Sequence, residues 1–281
     1  MLIVWWFLLG WLIDLRIDNR VKDAVRLADV ARFFEKPQKN SLIRQPADRN
    51  QIVRGAIVRG DTTKRRLAIV FTGDEYADGG KIIRQALNRH QVRASFFLTG
   101  RFYRNPVFQS LIRQLKQDGH YLGAHSDAHL LYCDWTRRDS LLVSETQFRT
   151  DLDRNYAVMQ SFGIRKKDAR FFLPPYEWYN DTIAAWTQKA GLQLINYTPG
   201  TLSHADYTTP DLRNYRSSQV ILQSIYDYEQ RQPSGLNGFI LLLHIGTHSD
   251  RTDKLYRYLD ELLDQLQRKG YEFVKIDALI G

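Results

Sequence analysis

Residues 67–100 read LAIVFTGDEYADGGKIIRQALNRHQVRASFFLTG. An apolar run at 67–72 leads into a glycine-bounded turn carrying Asp74, Glu75 and Asp78. A helical pattern over 81–90 follows, and a second apolar run at 93–98 closes the stretch. Strand, helix, strand in this order predicts two parallel strands joined by a right-handed crossover. The unit recurs downstream. Helices are expected over 105–118, 144–162, 180–190, 217–230 and 253–269, and strands over 120–124, 170–173, 193–197, 239–244 and 271–276. Ser144 is suited to start its helix, and Gly119, Gly163, Gly191 and Gly270 to stop theirs. FILLL at 239–243 is apolar without alternation, as in a strand buried on both faces. Seven such units after residue 66 predict an α/β fold, a distorted or incomplete TIM-like (β/α)7 barrel. Active sites of such barrels lie at the C-terminal ends of the strands.

The chain has 281 residues, of which 43% are hydrophobic and 12% aromatic, which excludes disorder over most of its length. A single cysteine, Cys133, excludes an intrachain disulfide and a thiolate metal cluster. Residues 1–66 hold fourteen Lys/Arg against seven Asp/Glu, and the rest is close to neutral. Such a basic lead-in suits anionic lipid, an acidic polymer or plain solvent. It resembles no nucleic-acid module, so no nucleic-acid partner is expected. Residues 1–13 are almost wholly apolar, with three Trp. They are too few to span a bilayer as a helix, which takes about 20, and lack the flanks of a cleavable signal. Membrane contact by residues 1–13, and an exported or membrane-associated place in a bacterial cell, are the expectations. The division expected is 1–66 as apolar segment and lead-in, with a short strand or hairpin at 54–59, and 67–281 as the functional domain.

Chemistry-bearing residues collect where the strands should end. His125 and His129, in HSDAH, follow the 120–124 strand; His244 ends the 239–244 strand; Asp74, Glu75 and Asp78 follow the 67–72 strand. Two neutral imidazoles can hold a divalent ion such as Zn2+. A carboxylate completes such a set and leaves positions open for water and substrate. One such histidine pair alone would ordinarily be a loop bonded to its own backbone. Acids and a third histidine at neighbouring strand ends favour a site. One acid would ligate the ion and a second take a proton from the attacking water. His244 is suited to protonate a leaving group, above an apolar pocket shaped by Leu242 and Leu243. Pro174-Pro175-Tyr176 makes a rigid turn whose donor for an oxyanion is the Tyr176 N–H, since Pro175 has none. Trp178 beside it is placed to stack on a sugar ring. His248 is expected in solvent or supporting a loop, and His90, His120 and His204 at the surface or at helix ends.

Together these residues resemble the NodB-homology polysaccharide deacetylases, carbohydrate esterase family four. The resemblance covers roughly residues 67–281. The family's His-Ser/Thr metal motif is matched by His125-Ser126-Asp127-Ala128-His129, its Arg-Pro-Pro-Tyr turn by Leu173-Pro174-Pro175-Tyr176, its Leu-x-His by Leu242-Leu243-His244, and its second strand by ASFFLTG at 94–100. The resemblance implies hydrolysis of N-acetyl, in some members O-acetyl, groups on a carbohydrate, with a divalent metal, Zn2+ foremost. It implies Asp74, His125 and His129 as ligands, Glu75 as base, with these two acids exchanged or Asp78 serving as alternatives, His244 as acid, Tyr176 as oxyanion donor, and Pro175, Trp178 and Leu242 at the substrate. Two motifs depart from the family. Its Thr-Phe-Asp-Asp-Gly is replaced by residues 71–79, FTGDEYADG, and its turn arginine by Leu173, with Arg170 three residues earlier and Asp206 as a candidate for that arginine's acidic partner. These departures motivate a second reading, a carbohydrate-binding relative without catalysis. A metal-dependent phosphoesterase is a third, though no phosphate-cradling loop supports it.

Overall fold

The computed structural model describes residues 49–281; the apolar segment 1–13 and most of the basic lead-in lie outside the described residues. Among the described residues nine strands form one sheet: β1 (Gln51–Val53), β2 (Ala56–Arg59), β3 (Arg66–Gly73), β4 (Ser95–Leu98), β5 (Tyr121–Ala124), β6 (Phe171–Phe172), β7 (Gln193–Leu194), β8 (Phe239–His244) and β9 (Glu272–Phe273). Their spatial order is β1-β2-β8-β3-β4-β5-β6-β7, with β9 paired to the start of β3. From β8 to β7 the pairing is parallel, as the crossover pattern requires. Ile57 of β2 bridges Ile195, just past β7, and the Asn196 N–H donates to the Ile57 carbonyl. The sheet therefore curls until β2 meets both ends. The fold is the expected distorted (β/α)7 barrel, closed by a hairpin from the segment ahead of residue 67. Several strands are shorter than their apolar runs; β6 stops before Pro174, which has no N–H to continue a ladder.

Eight α-helices follow the strands: α1 (Gly80–Arg89), α2 (Gly100–Arg104), α3 (Gln109–Gln117), α4 (Glu145–Ser161), α5 (Asp181–Lys189), α6 (Ser218–Arg231), α7 (Leu259–Arg268) and α8 (Ile276–Ile280), counted among the described residues. α4 starts where Ser144 predicts, in a full capping box with Gln147. None of the described helices is long and apolar enough to cross a membrane.

Strand alternation sorts the core into two layers. Leu67, Ile69 and Phe71 of β3 face the helices, while Ala68 and Val70 turn inward with Phe97, Tyr121, Leu173, Ile240 and Leu242. The next inward positions are Thr72 on β3, His244 on β8 and, one step past β5, His125. The same two-residue period that builds the core thus delivers polar groups to the barrel mouth. One histidine departs from expectation. His120 is buried, 6% exposed, because it opens β5 against Phe96, and its Nδ1 accepts from the Ala94 N–H at 3.1 Å. His204 is half-buried, stacked on Tyr197 at 4.8 Å.

Candidate active site

The histidine loop is the most tightly bonded part of the mouth. α4 supplies two anchors. Asn155 Oδ1 accepts the His125 N–H at 3.0 Å. The buried Asp151 carboxylate accepts from Ser126 Oγ (2.6 Å), the Asp127 and Ala128 N–H groups (3.1 and 2.9 Å) and Tyr132 OH (3.0 Å). From the other side α2 donates its first N–H groups, Gly100 to the Ser126 carbonyl and Arg101 to the Asp127 carbonyl. Gly100 is required there, since a Cβ would collide with Asp127 Oδ1. Arg104 clamps Asp127 through both carboxylate oxygens, at 2.7 and 3.0 Å. Ser126 and His129 both adopt left-handed backbone, at φ 75° and 54°, a conformation that persists only where the surroundings enforce it.

These bonds set the chemistry of the two imidazoles. His125 Nδ1 lies 2.8 Å from the Leu173 carbonyl, which can only accept. Nδ1 therefore carries the hydrogen, and Nε2 carries the lone pair. The rings of His125 and His129 stand 5.1 Å apart. Burial, with His129 alongside, pushes His125 down to about 3. Burial, with the Arg101 cation, does the same to His129, also to about 3. Both are neutral at physiological pH, the form that binds metal ions.

The acid side is built differently. Directly after Phe71 come Thr72 and Gly73. A Cβ on Gly73 would lie 2.7 Å from Ile245 Cγ2 and 2.8 Å from Leu98 Cδ2, so any side chain at that position requires these neighbours to shift. Thr72 turns inward and is 2% exposed; its Oγ1 has no hydrogen-bond partner. The nearest acid, Asp74, lies beyond the strand. Its Oδ1 accepts from Thr99 Oγ1 at 2.8 Å and Arg101 Nε at 3.1 Å, and its Oδ2 pairs with Arg101 Nη2. A carboxylate has about four lone-pair sites. The one left open is on Oδ2, which stands 3.9 Å from His129 Nδ1. Glu75 is largely exposed, with Arg101 Nη1 3.8 Å away. Asp78 is engaged elsewhere: Thr247 N–H, Tyr256 OH and Lys254 Nζ hold its carboxylate at 2.8, 2.8 and 2.9 Å, so it ties the acidic turn to the loop after β8.

His244 faces the same mouth. Its Nδ1 lies 2.6 Å from Asp206 Oδ1, and its N–H donates to Asp206 Oδ2 at 2.9 Å. Asp206 is thus the partner of the histidine and not of an arginine. Arg170 sits at the opposite end of β6, where it could not reach. Leu242 is fully buried two residues below His244, packed in the barrel interior beneath the mouth. Pro175 is also buried. Tyr176 has φ 59°, with its ring 4.4 Å from that of His129 and 5.5 Å from that of Trp135. Trp178 stands 5.5 Å from Trp135 under the Arg138 guanidinium, and its indole N–H donates to the Asp134 carbonyl at 3.2 Å. His248 supports Tyr76 edge-on at 5.6 Å.

Sequence reasoning missed Arg101, Thr99, Asp151, Asn155 and Trp135. Arg101 directly follows the ASFFLTG strand, so its place at a strand end was the available signal. Asp151 and Asn155 sit mid-helix and carried none. Among the described residues no three or more His, Cys, Asp or Glu side chains form a ready-made metal grip. The donor types nevertheless suit a divalent ion: a lone pair on His125 Nε2, a neutral His129 and one open oxygen on Asp74.

Residues 59–195 match the family model described as polysaccharide deacetylase. The chain is 26% identical to the peptidoglycan-N-acetylglucosamine deacetylase PgdA of Listeria monocytogenes over 92% of its own length and 46% of that protein's. Among solved structures, the Bc1960 peptidoglycan N-acetylglucosamine deacetylase superposes with a TM-score of 0.63 at 19% identity, covering 79% of this chain and 91% of that one. BA3943 of Bacillus anthracis, described as a CE4 family pseudoenzyme, superposes with a TM-score of 0.59 at 19% identity, covering 82% of this chain and 70% of that one.

Proposed function

Because the chain belongs to the NodB-homology polysaccharide deacetylases, we propose that it hydrolyses acetyl groups from an N-acetylated, or O-acetylated, carbohydrate with the help of a divalent ion, Zn2+ foremost. The observation that carries this reading is the meeting of two neutral imidazoles, 5.1 Å apart, with an open Asp74 oxygen 3.9 Å from one of them. His125, through Nε2, with His129 and Asp74 would hold the ion. When bound, such an ion acidifies water and polarises a carbonyl.

The chain's own residues supply the rest. Glu75, next in sequence to Asp74 and open to solvent, accepts the proton of the attacking water. Arg101 and Thr99 keep Asp74 in one orientation, so that a single oxygen faces the histidines. The Tyr176 N–H, at a turn with a fixed left-handed backbone, stabilises the oxyanion. Asp206 holds the Nδ1 hydrogen of His244, which leaves Nε2 to carry a proton to the leaving amine. Tyr176, Trp135 and Trp178 form an aromatic wall on which a sugar ring can stack. An acetylated carbohydrate is the partner this implies.

Metal analysis of purified protein with an acetate-release screen over chitin oligomers, peptidoglycan and acetylxylan tests the reading. His125→Ala and His129→Ala are expected to abolish both metal retention and acetate release; full turnover in both variants would sink it. A second reading, a carbohydrate binder without catalysis, is favoured by one observation: β3 ends in Thr72 and Gly73, so that the first acid, Asp74, lies beyond the strand and is paired with Arg101. Calorimetry against acetylated oligosaccharides, with product masses read in parallel, separates the two. Binding without the loss of about 42 mass units, the change expected when water replaces acetyl by hydrogen, supports the binder.

A further inference from the structure

A second cavity lies at the end of the barrel away from the mouth, where β5 and β6 begin. It encloses about 510 Å3, within the usual range of small-ligand pockets. The end of α3, the loop between α4 and β6 and the start of α8 complete its walls. β5 separates the two ends, with His120 and Tyr121 at the cavity and His125 just past its other end.

The walls carry more positive than negative charge. Lys116, Lys167, Arg170 and Lys275 stand there with two carboxylates, Asp168 and Asp277. Asp168 is engaged by Arg165 at 2.6 Å, and Lys275 stands 3.6 Å from Asp277. Lys116 donates to the Phe162 and Gly163 carbonyls at 2.8 and 3.1 Å, which pins the loop after α4. Among the described residues no hydrogen bond or ion pair engages Lys167 or Arg170, and both are exposed to solvent.

Buried groups give this charge a direction. His120 is 6% exposed, and its Nδ1 accepts the Ala94 N–H at 3.1 Å. Burial, with the Arg93, Arg84 and Lys275 cations and against Asp118, pushes it down to about 4, so the ring is neutral and its hydrogen sits on Nε2. That N–H is buried and has no acceptor among the described residues. Tyr121, 5% exposed, accepts the Phe171 N–H at 2.9 Å through its hydroxyl, whose own hydrogen remains to be given. Asp277 Oδ1 is the reverse case, a buried acceptor without a donor. Native interiors keep few such groups, because each costs free energy while it is unmade.

Two donors beside unpaired cations call for an oxyanion. The orphan carboxylate oxygen calls for a ligand that also has a hydrogen to give. Sulfate meets only the first demand. Hydrogen phosphate, or a phosphate monoester bearing hydroxyls, meets both, and the planar fork of Arg170 suits two phosphate oxygens. A single water could join His120 to Asp277, but it would leave Lys167 and Arg170 unmatched. We propose that this cavity binds phosphate, free or as a small monoester. The proposal is independent of the carbohydrate reading above.

The test titrates the full chain with inorganic phosphate, glycerol 3-phosphate and sulfate at constant ionic strength, followed by calorimetry and by the nitrogen-15 signal of the His120 Nε2–H group. Phosphate or its ester is expected to fill one site at least about tenfold more tightly than sulfate and to shift that signal. Arg170→Gln, at an exposed position, is expected to weaken binding about tenfold and leave the thermal midpoint of the free protein unchanged. Asp277→Asn is expected to bring the ratio of phosphate to sulfate affinity close to one. Tighter binding of glycerol 3-phosphate names an ester as the occupant and tighter binding of inorganic phosphate the free ion; both uphold the cavity. Equal affinity for phosphate and sulfate in the unaltered chain, or affinity unchanged in Arg170→Gln, is ordinary screening of surface charge and overturns it. A His120 signal that phosphate does not move overturns it as well, and leaves the cavity to water.

Discussion

The two sides of the mouth are held in opposite ways. On the histidine side, Asp151 and Asn155 of α4, the first turn of α2 and the Arg104–Asp127 pair fix a five-residue loop through buried bonds. On the acid side a single partly exposed arginine and one threonine hydroxyl hold Asp74, and the same arginine stands 3.8 Å from the exposed Glu75. The histidine loop carries one of the motifs on which the resemblance to the deacetylases rests; the acid loop departs from it. The difference teaches where such a site can be rebuilt. A buried loop with many partners loses all of them if one changes, whereas an exposed carboxylate needs only a nearby cation to replace a lost one.

The largest expected effect is the response of the histidine side to acid. His125 and His129 fold at about 3 from an ordinary value of 6.5. Between these values the unfolded chain binds more protons than the folded one, so stability rises with pH across that window and is complete above 6.5. Each histidine adds a slope of up to roughly 1.4 kcal/mol per pH unit. The urea midpoint is expected to fall steeply from pH 6.5 to 4. The double variant His125→Gln with His129→Gln should flatten that limb. An equally steep limb in the variant would show that the pair is not held neutral by burial.

Next is Asp151→Ala. It strands two N–H groups and two hydroxyls in a dry interior, each costing about 1–3 kcal/mol in isolation. Allowing for relaxation, a loss of about 4 kcal/mol is expected, measured by chemical denaturation. Metal affinity should fall with it, since the loop is left without its centre. A loss under about 1 kcal/mol would mean that α4 does not enforce the loop.

The third concerns Arg101. Arg101→Met removes an ion pair that is partly exposed, so stability should change by less than about 1 kcal/mol. Asp74 is freed to turn, and kcat/KM on an acetylated oligosaccharide is expected to fall about 30-fold, with Arg101→Lys recovering part of it. Activity unchanged in Arg101→Met would show that Asp74 needs no holding, and the contrast between the two sides would fail.

The same contrast explains what the sequence could reveal. The barrel was legible because its strands are apolar runs and its helices end on glycine; the period that buried Val70 and Leu242 also put Thr72 and His244 at the mouth. The hairpin that closes the barrel was less so, since Ala56–Arg59 is four residues long and gains its place from pairing with β8. His125, His129 and His244 stood out as uncommon residue types at strand ends. Their supports did not, because Asp151 and Asn155 on a helix read as solvent-facing until the fold turns that face inward.

The smallest expected effect lies at the seam between the two sides. Thr72 Oγ1 is buried without a partner, on a strand position paired with His244. An unsatisfied buried hydroxyl costs free energy, and valine has nearly its shape. If the hydroxyl serves only packing, Thr72→Val should raise stability by about 1 kcal/mol and leave binding alone. If it serves a bound acetyl group or water, the variant should gain the same stability while losing affinity for the acetylated oligosaccharide. The two outcomes are separated by measuring the thermal midpoint with and without ligand. A variant that is less stable in the absence of ligand would mean that the hydroxyl already has a partner in the free protein, and the acid side would then be better anchored than its contacts with Arg101 and Thr99 imply.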